Sequence, residues 1–256
     1  IYSTINSSGR YNVEATMKQM FFLFIALSFL LLTNAQTGLH LPLKKELDRM
    51  QTLDQTYQAA LLANMRGKGD SLAIVYGVKK EYLDDHLWKL QGEIDSLNTA
   101  RIEEIINEHG YPGISLVGYP TNEVAFYILQ HSKVIDKYLP IIKEAAAKNE
   151  LRFQLYAMML DRSLMLQDKE QVYGTQGSGM SVKNQLTGQW ENLSFIWPIH
   201  DPVNVNARRK AAGFTETVEE GAKGMGIDYK IYTLEEILKL REEIMKADSD
   251  YGERNV

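Results

Sequence analysis

Cysteine is absent from the 256 residues, so neither a disulfide framework nor a thiolate metal site can hold this chain together. Histidine is scarce: His40, His86, His109, His131 and His200 stand singly, without the clustering a metal site needs, and no metal is expected. There is no H-E-x-x-H, no Walker lysine loop and no G-x-S-x-G elbow; GAKGMG at 221–226 has its glycines at the wrong spacing and no strand before it. Nothing implies a redox cofactor, and none is expected. A basic face is missing too. With a formal charge of −5 the chain lacks the electrostatic footprint of a nucleic-acid binder.

Long apolar runs are likewise few. From Met20 to Leu32 thirteen apolar or small residues follow Lys18, and Thr33 and Ala35 occupy the two small-residue positions before Gln36. This is the layout of a secretory signal peptide over 17–35, with cleavage expected after Ala35. The run is short of the roughly twenty residues that a membrane span requires, so no membrane association is expected once it is removed. Gln36 is not a lipid-accepting cysteine, which argues against a lipoprotein. Residues 1–16 precede Met17 and read as an upstream extension that is not native. Losing Arg10, Glu14 and Lys18 with this segment moves the formal charge to −6. The expectation is an exported domain, periplasmic or secreted. About 220 remaining residues suffice for a core without staples.

Helical periodicity dominates what is left. A first helix over 43–66 carries Leu47, Met50, Leu53, Tyr57 and Leu61 and stops at Gly67. A second, over 72–97, has Val75, Val78, Tyr82, His86, Leu87, Leu90 and Ile94 in a stripe, and Asn98 caps a third that ends before Gly110. YPGISLVGYP at 111–120 is a connector. Val124, Ile128, His131 and Ile135 then fall in line, and a helix over 136–148 tolerates Pro140 only in its first turn. An apolar helix over 150–167 follows. In 201–213 Asp201 reads as an N-cap with Pro202 at the first position, and Thr233 with Glu236 opens a final helix to about 247 by a capping box. The fold class is mainly α: a bundle of about seven helices with one irregular insertion around 171–199, for which a short β-hairpin is one form. The divisions read as N-terminal helices over 36–98, a core over 99–214, and a C-terminal helix and tail over 215–256.

The insertion begins QVYGTQGSGM at 171–180, where two amides, a phenol and a hydroxyl surround one glycine, more than turn chemistry asks for. Gly174 lets the backbone turn so that they converge. His131 lies on a core-facing line, which suits either a satisfied core histidine or a working base. Arg162 sits beside Met158, Met159 and Met165, and a buried arginine needs something anionic: an internal partner such as Asp161 or Asp201, or a ligand carboxylate or phosphate. Arg208 poses the same choice, while Arg209 reads as solvated. His200 with Asp201 is an adjacent His-Asp pair, but the N-cap reading of Asp201 outweighs a metal role.

At LVGYPTNEVAFYILQHS, YAMMLDRSLMLQDKEQVYGTQ and WPIHDPVNVNARRKAAGF the chain resembles a bacterial family catalogued as domain of unknown function 6624, over about 99–214. The family's elements map onto Pro112, Val117 and Gly118; Gln130 and His131; Asp161 and Arg162; Gln171, Tyr173, Gly174, Thr175 and Gln176; and Asp201, Pro202, Arg208 and Gly213. Upstream, Asp54 and Gln55 resemble a further element, with Gln58 where an arginine is expected. The resemblance implies a fold and a set of site residues, not a reaction. Two readings stay open. In one, the chain forms a polar pocket for a small anionic or carbonyl-bearing molecule, with His131 as proton acceptor and Asp161 as its orienter or as the partner of Arg162. Gln130, Arg162, Gln171, Tyr173, Thr175, Gln176, Asp201 and Arg208 would then be ligand-binding, and hydrolysis or group transfer the chemistry. In the other, the chain is a non-catalytic cell-envelope binding or structural domain in which the same side chains form a buried network.

Overall fold

A computed structural model describes residues 38–132, 134–183 and 188–253. The proposed signal segment, its cleavage site and the upstream extension lie outside the described residues, as does the end of the chain. In order come α1 (Leu41–Ala63), α2 (Gly69–Tyr76), α3 (Leu83–His109), α4 (Ile114–Val117), α5 (Val124–Leu129), α6 (Ile135–Ala147) and α7 (Phe153–Leu166). The hairpin β1 (Gly177–Lys183) and β2 (Trp190–Ile196) follows, then α8 (Val205–Ala211), α9 (Val218–Gly224) and α10 (Leu234–Glu253). The chain is thus mainly α, and the insertion is an antiparallel hairpin pairing Gly177 with Ile196 and Lys183 with Trp190. Among the described residues no helix is long and apolar enough to cross a membrane.

The main core joins α1, α3, α5, α6 and α7 through Leu47, Ile102, Phe126, Leu129, Ile142 and Met159, all fully buried. Each such side chain contributes about 1.5–3 kcal/mol of transfer free energy. A second cluster, including Ile196, Ile199, Val205, Val218 and Ala222, seats the end of β2 on α8 and α9. Phe195 and Trp197 meet Ile237 of α10 in a third.

Several local expectations need correction. The buried stripe of α1 is Leu43, Leu47, Met50, Asp54 and Leu61, with Leu53 turned outward, so a carboxylate occupies a core position. The expected helix over 72–97 is broken at Gly77, whose φ of 65° is costly for any residue with a Cβ, and Val75 and Tyr82 face solvent. Asn98 caps nothing: it is buried inside α3, which runs unbroken past it. Pro140 is the sixth residue of α6, beyond the first turn. Helix α9, opened by a Thr217–Glu220 capping box, adds an element beyond those expected. The box at Thr233 and Glu236 forms as expected.

Candidate functional site

Consecutive residues on a helix point about 100° apart, and this separates Asp161 from Arg162 on α7. Asp161 is fully buried against the 171–176 segment. Its carboxylate accepts from the backbone N–H of Val172 (2.8 Å), Tyr173 (3.0 Å) and Thr175 (3.0 Å) and from the Thr175 hydroxyl (2.9 Å). Burial pushes the carboxyl up from its ordinary range, and these donors oppose the shift. Gln171, equally buried, completes the clasp: its amide accepts from Gln176 N–H and donates to the carbonyls of Gln176 and Trp197. Gly174 makes the turn at φ 69°, and a Cβ there would stand 2.7 Å from both Ile199 Cδ1 and Val218 Cγ2. Asp161 therefore neither orients His131 nor pairs with Arg162, because its lone pairs are taken by the loop.

Arg162 points the other way and is half-buried. It donates from Nε to Gln176 Oε1 (3.3 Å) and from NH1 to the Gln130 carbonyl (3.3 Å) and to His131 Nδ1 (2.8 Å). All three acceptors are neutral. Neither Asp161 nor Asp201 reaches it, and burial holds its guanidinium below its ordinary value. It lines an open cleft of about 530 Å³ together with Gln130, Thr175, Gln176, Ser178 and Ser194.

His131 departs from expectation: α5 ends at Leu129, so the turn carries the imidazole off the Val124–Ile128 line and leaves it exposed. A guanidinium can only donate, so Nδ1 must accept and the proton sits on Nε2. Partial burial and the adjacent Arg162 charge lower its pKa, against weaker opposite effects of Asp54 and Asp95. At neutral pH His131 is a donor through Nε2–H, with its basic nitrogen occupied.

The structure thus brings Gln130, His131, Arg162, Thr175 and Gln176 together, and it places the other expected residues elsewhere. The Tyr173 ring packs against Phe153 and Phe214 at 6.3 and 6.2 Å. Asp201 lies in a left-handed conformation at φ 48° and makes no helix cap; its carboxylate binds Asn204 Nδ2 and Arg208 NH1. Arg208, through Nε and NH2, also holds the carbonyls of Val172 and His200. Its neighbour Arg209, expected in solvent, is 4% exposed. It donates to the carbonyls of Tyr173 and Glu216 and lies 4.6 Å over the Phe214 ring. That correction follows from the register of α8, which turns Arg209 and Val205, at an i, i+4 spacing, inward.

His131 lines a second cleft, of about 420 Å³. Its floor was not foreseen. Gln91 Nε2 donates to Asp54 Oδ1 (3.0 Å) and Asp95 Oδ1 (2.7 Å), tying the two carboxylates together across α1 and α3. The signal was available: Asp54 and Gln91 are polar residues on the buried stripes of their helices. Among the described residues no three His, Asp or Glu side chains stand where they could hold a metal ion.

No curated protein and no solved structure matches the chain. The family described as a family of unknown function, DUF6624, matches residues 84–231, which takes in α3 through α9 with the 171–176 clasp, His131 and Arg162. That span exceeds half of the chain, and the chain belongs to this family.

Proposed function

We propose that this chain is an exported helical domain whose cleft beside Arg162 takes a small anionic or carbonyl-bearing ligand. The observation that carries the reading is a half-buried guanidinium that, among the described residues, is bonded only to neutral acceptors. An arginine so placed is electrostatically incomplete, and its planar fork suits a carboxylate or phosphate. Gln130, Thr175 and Gln176 supply directional polar groups around it, and Ser178 and Ser194 line the hairpin wall. Hydrolysis or group transfer fits the same arrangement. A ligand anion that drew Arg162 NH1 away from His131 would free Nδ1 to accept a proton, so that binding itself would uncover the base. Titration calorimetry with acetate and inorganic phosphate tests the binding step. The wild-type chain should bind at least one of them about tenfold more tightly than Arg162→Gln does. Equal affinities, or none, would sink the reading.

The second reading, a non-catalytic envelope domain with a buried network, is favoured by one specific observation: Asp161 and Gln171 are fully buried and fully paired. Those residues have no capacity left for a ligand. Export rests on the apolar run from Met20 to Leu32 and the small residues before Gln36. Intact-mass measurement of the chain recovered from a secreting host should give a protein beginning at Gln36; retention of the run would count against export.

A further inference from the structure

We infer that the second cleft, between α1, α3 and α5, is a separate binding site for a small organic ammonium ion carried on an apolar body. The inference stands apart from the Arg162 reading, since it uses different residues and the opposite charge.

The cavity of about 420 Å³ is of the size that holds small ligands. Asp54 is 7% exposed, yet it accepts only from the amides of Gln55, Gln58 and Gln91, and no lysine or arginine pairs with it among the described residues. A buried carboxylate with neutral partners alone keeps an unanswered charge. Asp95 adds a second one within reach of the same Gln91 amide. Burial, and then the neighbouring Asp54 charge, push the Asp95 carboxyl upward against the Gln91 hydrogen bond, as expected where negative charge is concentrated. Gln91 is 5% exposed, and its Oε1 has no partner among the described residues. The floor is therefore rich in acceptors and short of donors. A primary ammonium carries three N–H donors and the missing positive charge.

The walls specify the rest of the ligand. Trp88 is 58% exposed and Met65 80%, and Tyr127 joins them in the lining. Exposed apolar surface beside a charged floor suits an apolar body whose cation lies against an aromatic face. Burial and then the Arg162 charge favour the neutral form of His131 at the edge, and a neutral ring does not repel a cation. An inorganic cation is a poor fit, because no cluster that could hold a metal ion occurs among the described residues.

Titration of the full chain with benzylamine and with benzyl alcohol, followed calorimetrically, tests this directly. Benzylamine should bind about tenfold more tightly than its neutral analogue, since the two share the apolar body and differ in the charge and the donors of the head group. Asp95→Asn, which keeps the shape of the side chain and removes its charge, should weaken benzylamine binding by about fivefold or more, and Trp88→Leu by a similar factor. Circular dichroism confirms that both variants fold. Equal affinity for the two probes, no measurable affinity for either, or undiminished binding by Asp95→Asn overturns the proposal.

Discussion

Asp161 and Arg162 are neighbours on one helix, and the regions they serve obey opposite rules. Around Asp161 every donor has an acceptor: four groups of the 172–175 segment converge on one carboxylate that water never reaches. Around Arg162 a permanent cation is left at a cleft with only neutral groups to meet it. A satisfied polar cluster fixes a structure, whereas an incomplete one is where a ligand can still add something. The polar segment after α7 is therefore two things at once. Its inward-facing atoms are a lock, and Thr175 and Gln176 alone pass from the lock to the cleft wall. Gln176 is the joint, since its backbone binds Gln171 while its side chain meets Arg162.

The largest expected effect comes from breaking the lock. Asp161→Ala leaves three partly buried N–H groups and one hydroxyl without their acceptor, and should cost about 3–5 kcal/mol in urea-induced unfolding. A loss below about 1 kcal/mol would mean that the loop holds its place without the carboxylate. Gly174→Ala acts on the same loop through the backbone. A methyl group there meets Ile199 and Val218 at 2.7 Å in a left-handed conformation, so a loss of about 2–3 kcal/mol is expected, again by urea unfolding. Wild-type stability in that variant would show that the turn can be made another way.

How much of this was legible in the sequence depended on whether a residue's direction could be inferred from its neighbours. The capping box at Thr233, the turn at Gly174 and the hairpin in the insertion follow from short-range chemistry, and they form. The nearness of Gln130, His131, Arg162 and Gln176 was also within reach, although the resemblance to a family carried more of it than periodicity did. Direction around a short helix was not. Arg208 and Arg209 are adjacent on a seven-residue helix with few apolar residues to set its phase, so the sequence does not distinguish the buried member from the solvated one. On α1 the apolar residues Leu53 and Tyr57 drew the stripe one residue away from Asp54, and with it went the acidic floor of the second cleft. Periodicity seeks apolar positions, so a polar residue on a buried stripe is the kind it discards.

Arg162→Gln sharpens the contrast with Asp161. The variant removes a charge that no carboxylate balances, so the change in unfolding free energy should stay within about 1 kcal/mol, while affinity for acetate or phosphate falls about tenfold. A stability loss as large as that of Asp161→Ala would place Arg162 in the lock, and the distinction between the two regions would fail.

The smallest effect is the most local. With Nδ1 accepting from Arg162, His131 should be the Nε2–H tautomer at neutral pH, a state that nitrogen-15 chemical shifts of the imidazole report directly. Its titration midpoint should lie below the ordinary value of 6.5, because burial and the Arg162 charge both disfavour imidazolium. Unfolding then takes up a proton in the interval beneath 6.5. The contribution of this group to stability is complete above that pH and is lost as pH falls through the folded-state midpoint. Arg162→Gln removes the nearby positive charge but leaves most of the burial. Its midpoint should therefore move up toward the ordinary value without passing far beyond it, since Asp54 and Asp95 pull it higher and the remaining burial opposes them. An Nδ1–H tautomer in the wild type, or a midpoint unmoved by the substitution, would mean that imidazole and guanidinium do not meet in solution, and Arg162 would then face its cleft without His131 beside it.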